Sequence, residues 1–224
     1  MDFLKDFDAI IFDMDGTVLD SMWAWRAENR LFLERHGLPV PEEFKDTIDV
    51  MSSHALARYV EKTYPGQFTF DGVIGEYLES LKRHYGTDVF PKKGAKAFLE
   101  KLKAHGIRMC VATATPRANA KLALSCHGLL EYFDFVTDDS ENGITKSKPE
   151  YYDVVVKRLG VSKERCVMFE DSLYAMRASK AAGLTPFAIE EKVHVGNSEL
   201  MKDIKETAEI FVKDFDEASE ILFG

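Results

Sequence analysis

Short apolar runs closed by acids or hydroxyls recur along the chain and alternate with longer stretches of helical spacing. Asp8–Asp13 (DAIIFD) is long enough for a buried strand and too short for a helix, and it predicts the first, central strand. Residues 22–86 change character. Helical spacing runs from about Trp23 to His36, breaks at Gly37-Leu38-Pro39, and resumes near 41–48, 52–64 and 71–85, with no convincing strand between. From Phe90 helix and strand alternate: helices over 94–105, 116–127, 149–159 and 172–182, strands over 107–112, 133–136, 166–170 and 185–189, then a strand and a helix within 209–222. Gly106, Gly128, Gly160 and Gly183 close the helices, and Pro116 and Pro149 stand at first helical positions.

Alternation of this kind predicts an α/β fold with a mostly parallel, doubly wound sheet. The helical stretch then reads as an all-helical insertion just after the first strand. The expected division is a core of residues 1–20 and 88–224 and a helical domain of residues 21–87. The tethers, roughly 16–21 and 86–93, each carry glycine, and paired connections of this sort suit a hinge. Asp138 to Gly143 reads as a polar loop.

Charge narrows the functional classes. With 29 Lys and Arg against 38 Asp and Glu the net charge is −9, which excludes an extended nucleic-acid surface or a polybasic membrane anchor. An anionic ligand would meet a negative overall field, so local Lys, Arg, backbone amides or a metal would have to reverse its sign. Cys110, Cys126 and Cys166 lack C-x-x-C spacing and are expected to be buried, reduced thiols. Met1-Asp2-Phe3-Leu4-Lys5-Asp6 is too acidic for a signal peptide, and no apolar run approaches the roughly 18 residues a bilayer requires. A cytoplasmic monomer is expected.

Four stretches bring chemistry to the ends of these strands. Asp13 closes the first strand, with Asp15-Gly16-Thr17 just beyond. One carboxylate can attack phosphorus while a second moves a proton to the leaving oxygen, although solvated acids are common at strand ends. Thr113 ends a second strand and precedes Ala114-Thr115-Pro116-Arg117; a hydroxyl and free amides there can grip phosphate oxygens, or merely cap a helix. Lys148 precedes Pro149, where a solvated lysine is the ordinary reading and neutralising a phosphoryl group the functional one. Glu170 and Asp171 follow an apolar strand, and packing explains two adjacent acids there poorly. A hard cation such as Mg²⁺ explains them better.

The motifs Asp13-Met14-Asp15-Gly16-Thr17, Thr113, Lys148-Pro149 and Glu170-Asp171-Ser172, in that order, resemble those of the haloacid dehalogenase-like superfamily, in its phosphatase-type members with a helical cap. The resemblance spans roughly residues 8 to 215 and implies a Rossmann-like core. It further implies Asp13 as nucleophile, Asp15 as general acid/base, Thr113 and Lys148 on the phosphoryl group, and Mg²⁺ held by Asp13, the Asp15 carbonyl, Glu170 and Asp171. Two departures stand out. The second proline of the family's third motif is replaced by Tyr151, and Ala175 stands where its fourth motif often has glycine. Lys146, two residues before Lys148, competes for the lysine role, but only Lys148 precedes proline.

In the helical insertion Trp25 and Arg26 are candidate substrate contacts, with Trp23, His54, Arg58 and the core's Arg117 behind them. Tryptophans on such helices are as often internal packing, and His54 and Arg58, four apart, favour a solvated or locally paired face. The expected activity is Mg²⁺-dependent hydrolysis of a small phosphomonoester through an aspartyl phosphate. A phosphomutase resembling β-phosphoglucomutase is the alternative. A signalling receiver domain would place its phosphorylated aspartate later and carry no insertion.

Overall fold

A computed structural model describes residues 3–45, 47, 48 and 51–224. The chain divides into two compact units, Met1–Asp20 with Phe90–Gly224, and Ser21–Val89. In the first unit a 3₁₀ turn at Phe3–Asp6 leads into strand β1 (Ala9–Phe12), all four of whose residues are buried. The second holds helices α1 (Met22–Arg35), α2 (Ser53–Thr63) and α3 (Phe70–Thr87). The first unit then resumes with α4 (Ala95–Ala104), β2 (Arg108–Thr113), α5 (Arg117–Cys126), β3 (Phe135–Asp138), α6 (Asp139–Asn142), α7 (Pro149–Leu159) and β4 (Cys166–Glu170). It ends with α8 (Leu173–Ala182), β5 (Thr185–Ile189), α9 (Ser198–Thr207), β6 (Ile210–Val212) and α10 (Phe215–Phe223).

The six described strands form one parallel sheet in the order β3-β2-β1-β4-β5-β6. This is the doubly wound α/β arrangement that the alternation predicts. β1 is central, and the order reverses on its two sides, so the crevice of such a fold opens beyond its carboxyl end. One face packs Ile11, Cys110 and Met168 against Tyr151, Tyr152 and Val155 of α7. On the other, Phe12 stacks on Phe169 at 5.5 Å, and Phe98 and Phe215 lie beside them. Because helices cover both faces, the strands read as continuous apolar runs rather than alternating ones.

The helical unit has its own core, built on Phe32, Leu56, Val60 and Tyr77. Ser52 and Thr69 cap α2 and α3 through the Ala55 and Gly72 amides. Within it Glu28 is buried, accepting from Ser80 Oγ at 2.5 Å and pairing with Arg35 at 3.0 Å. No helix among the described residues is long and apolar enough to cross a membrane.

Several elements differ from the expectation. Among the described residues of the stretch 41–48 a 3₁₀ turn forms at Glu42–Phe44 in place of the expected helix, and Asp46 lies outside the described residues. Helix α9 forms between residues 189 and 209, where the sequence pattern assigned no element. A parallel β5-to-β6 connection needs a crossover, and Leu200, Met201 and Ile204 give this one an apolar stripe that packs on Met176 and Ala188. The polar Asp138 to Gly143 stretch contains α6, which the Asp138 carboxylate caps through the Ser140 and Glu141 amides. Cys110 and Cys166 are buried in the sheet, but Cys126 is exposed at the end of α5, where the helix turns it outward.

Candidate active site

The chain leaves β1 at Asp13 and turns at once. Leu19 N–H donates to the Met14 carbonyl at 2.9 Å and Gly16 N–H to the Leu19 carbonyl at 2.9 Å. Gly16 stands at φ 82°, a left-handed conformation that L side chains adopt only with strain. The turn places Asp13 and Asp15 beside the ends of β2 and β4. Asp13 N–H continues the ladder to the Phe169 carbonyl at 3.0 Å, which fixes the depth of its carboxylate.

Asp13 is 5% exposed and faces an ammonium. Lys146 Nζ donates to Asp13 Oδ1 at 2.5 Å and lies 2.7 Å from Glu170 Oε2. The lysine is itself buried, and its backbone is tied at both ends: its N–H donates to Asp139 Oδ1 at 2.9 Å and its carbonyl accepts from Tyr152 Oη at 3.0 Å. Lys148, the residue singled out in the sequence, is not in this cluster. With Pro149 as the first residue of α7, Lys148 becomes the helix N-cap and its side chain is exposed. Proline thus marks the helix start, and the side chain two residues upstream turns inward.

Thr113 ends β2 with its hydroxyl buried, accepting from the Thr115 amide at 3.1 Å. Ala114, between them, is exposed. Thr115 Oγ1 donates to Asp15 Oδ2 at 2.7 Å, a contact across 100 residues that nothing local in the sequence announces. At the end of β4 the Glu170 Oε1 accepts from the amides of Asp171 and Ser172 at 3.2 and 3.0 Å. Asp171 Oδ1 accepts from Thr17 Oγ1 at 3.4 Å and Ser172 Oγ at 3.3 Å. Its Oδ2 is buried and accepts no hydrogen bond among the described residues.

The electrostatics follow from crowding. Burial lifts the Asp13 carboxyl to about 7, with Lys146 pulling it back and Asp171 and Asp15 pushing the same way as burial. Burial, with Asp13 adding to it, also raises Glu170 well above the carboxylate range against the pull of Lys146. Burial disfavours the Lys146 ammonium, but Asp13 and Glu170 outweigh it and raise Lys146 well above its usual value. Burial would raise Asp171 too, but the His194 contact overrides it and lowers the group.

Oxygens of Asp13, Glu170 and Asp171 all lie within 4.8 Å of one another, a cluster able to hold a metal ion. An all-oxygen donor set with an unbonded buried carboxylate oxygen fits a hard divalent cation. A bound cation would lower the raised carboxyls by its own charge.

The residues of the helical unit are engaged in local packing. Trp23 sits edge-on to His84 at 5.4 Å, and His54 and Arg58 both pack on the Phe70 ring, at 5.6 and 5.7 Å. Trp25 and Arg26 lie on α1, and the Trp25 indole N–H is buried with no acceptor among the described residues. Arg117, in the first unit, pairs with Glu141 at 2.9 Å.

Comparison with known proteins matches the same features. A family model described as a haloacid dehalogenase-like hydrolase matches residues 7–183. The phosphorylated carbohydrates phosphatase of Thermotoga maritima is 30% identical over 179 residues, 79% of this chain and 82% of that protein. The fructose-1-phosphate phosphatase of Escherichia coli is 27% identical over 80% of this chain and 94% of its own length. Among solved structures, a candidate β-phosphoglucomutase from Thermotoga maritima superposes with a TM-score of 0.75 at 26% identity, covering 97% of each chain. With the family model covering most of its length and the acid cluster at the expected strand ends, this chain belongs to the haloacid dehalogenase-like hydrolases, as an enzyme of their phosphatase type.

Proposed function

We propose that the protein hydrolyses a small phosphorylated metabolite with Mg²⁺, through an aspartyl phosphate on Asp13. The observation that carries this reading is the Lys146 Nζ contact to Asp13 Oδ1 within a cluster of three buried acids. A carboxylate sunk among acids has no packing value, whereas one paired with an ammonium is oriented and charged for attack.

Asp13 forms a bond to phosphorus as the ester P–O bond breaks, and Asp15 gives its proton to the departing oxygen. Water then attacks the phosphorus, Asp15 takes the water's proton, and the Asp13–phosphorus bond breaks to release inorganic phosphate. Thr115 holds the Asp15 carboxyl for both transfers through its 2.7 Å hydrogen bond. Lys146 takes the lysine role, neutralising Asp13 and the phosphoryl oxygens, while the Thr113 hydroxyl and the Ala114 amide grip those oxygens. When bound, Mg²⁺ supplies positive charge to the phosphoryl group and fixes its approach. Asp13, the Asp15 carbonyl and Asp171 would hold it directly. Glu170, whose oxygens already meet two amides and Lys146, would hold it through water.

Trp25 and Arg26 are proposed to discriminate among substrates, a reading supported by their sequence positions soon after the Asp13–Leu19 turn and by the Trp25 indole N–H, which meets no acceptor among the described residues. The phosphatase names of the two relatives support a phosphorylated carbohydrate as substrate class. The test is a panel of phosphorylated metabolites incubated with Mg²⁺ and, in parallel, with chelator, measuring free phosphate. Release from a sugar phosphate that stops in chelator is the expected result. Conversion that needs a bisphosphate activator and conserves organic phosphate would replace the hydrolase with a mutase.

A further inference from the structure

The four motifs leave the segment after β5 without a role, yet it reaches the acid cluster. His194 closes a 3₁₀ turn at Lys192–His194, and its Nε2 lies 3.4 Å from Asp171 Oδ2. That oxygen is buried and accepts no other contact among the described residues, while Oδ1 is met only by two hydroxyls at 3.3 and 3.4 Å. The two hydroxyls approach one oxygen, and His194 Nε2 approaches the other, so the carboxylate is bounded on both sides.

The segment that carries His194 is itself held firmly. Glu190 N–H donates to the Val212 carbonyl at 2.8 Å, anchoring the turn to β6. Glu191 is buried, accepts from the Val193 amide at 3.3 Å through Oε1, and pairs with buried Lys92 at 3.0 Å through Oε2. Lys92 Nζ also donates to the Glu190 carbonyl at 2.5 Å, and Lys92 N–H to the Val18 carbonyl at 2.9 Å. A buried ion pair of this kind is a costly way to gain stability but an effective way to fix one register. His194 N–H, donating to the Glu191 carbonyl at 2.9 Å, inherits that register.

We infer that His194 is a positioning residue for metal binding, holding the Asp171 carboxylate in its ligating orientation from the loop after β5. Ligating carboxylates commonly need such an outer partner, and losing it typically weakens metal affinity by 10- to 100-fold. The inference rests on the metal-dependent reading proposed above. It adds a residue lying outside all four motifs.

The test uses the full chain and Mn²⁺, an oxygen-preferring stand-in with a paramagnetic signal, on wild type, His194→Ala and His194→Gln. Free Mn²⁺ is titrated by electron paramagnetic resonance, and melting is followed in chelator. The expected result is Mn²⁺ binding weakened roughly tenfold or more by alanine and restored to within about threefold by glutamine, whose amide offers an N–H of similar reach. Melting in chelator should be the same for all three, and kcat at saturating Mg²⁺ should be retained while the Mg²⁺ requirement rises. Equal Mn²⁺ affinity in wild type and alanine variant, or equal loss in both variants, would overturn the role of His194 alone. A nitrogen coupling from a directly bound imidazole would overturn it in favour of a ligand. A wild type that binds no Mn²⁺ would overturn the metal site and this inference together.

Discussion

Lys146 Nζ stands 2.5 Å from Asp13 Oδ1, and no other lysine among the described residues is seen to pair with that carboxylate. The two residues are 133 positions apart, and both are buried. Replacing Lys146 by alanine removes the ammonium that offsets Asp13 and Glu170. We expect kcat to fall by on the order of 10²-fold or more, the scale seen when a group stabilising transition-state charge is lost. Lys148→Ala, at an exposed cap, should leave kcat within about twofold, since surface substitutions rarely carry more. Steady-state kinetics of the two variants side by side decides the assignment, and a large loss in Lys148→Ala alone would reverse it.

Thr115 Oγ1 donates to Asp15 Oδ2 at 2.7 Å. Thr115→Val keeps the shape and deletes the donor. The expected loss is about tenfold in kcat with KM little changed, as for a positioned acid/base that loses its orientation but keeps its proton. Thr115→Ser should recover most of the rate. A valine variant as fast as wild type would free Asp15 from this dependence.

Asp138 carries a stability prediction. Burial would raise its carboxyl, but Ser140 Oγ and the amides of Arg117, Glu141 and Ser140 outweigh burial and hold it below its ordinary 3.8. A group depressed on folding stabilises fully above its unfolded value, and that stabilisation is lost as pH falls through the folded one. Asp138→Ala should cost about 1–2 kcal/mol near pH 7, the range for a helix cap. The gap between variant and wild type should narrow as the solution is taken below pH 3.8. Thermal melts at neutral and acid pH measure both, and a gap that widens on acidification would contradict the sign.

For Trp25→Ala and Arg26→Ala we expect kcat/KM to fall unequally across metabolites, while a small generic ester such as p-nitrophenyl phosphate is affected little. The comparison is a parallel kinetic series on the best metabolite and that ester. Unchanged kcat/KM on the metabolite would make both residues packing elements.

The sheet was legible because parallel strands buried on both faces must be apolar throughout, so β1, β2 and β4 end visibly where Asp13, Thr113 and Glu170 begin to be polar. Lys146 was not, because proline after Lys148 is a strong local signal about a helix start and carries no information on which upstream side chain turns inward. Tyr152, which holds the Lys146 carbonyl, is fixed by packing on α7 that only the assembled core provides. Thr115 and His194 act on acids far away in sequence, and no periodicity records such pairings. Helix α9 was hidden by its charge density. Its few apolar residues gain their meaning only from the α8 and β5 surface they cover.

The central claim is covalent: a phosphoryl group resides on Asp13 during turnover. Its most direct test mixes enzyme with excess sugar phosphate and Mg²⁺, quenches within one turnover, reduces with borohydride and maps the peptides by mass spectrometry. An acyl phosphate at Asp13 is reduced to homoserine at that position, with Asp15, Glu170 and Asp171 unmodified, and Asp13→Asn gives neither product nor modification. Turnover that leaves Asp13 unreduced, or reduction at another carboxylate, would contradict the account.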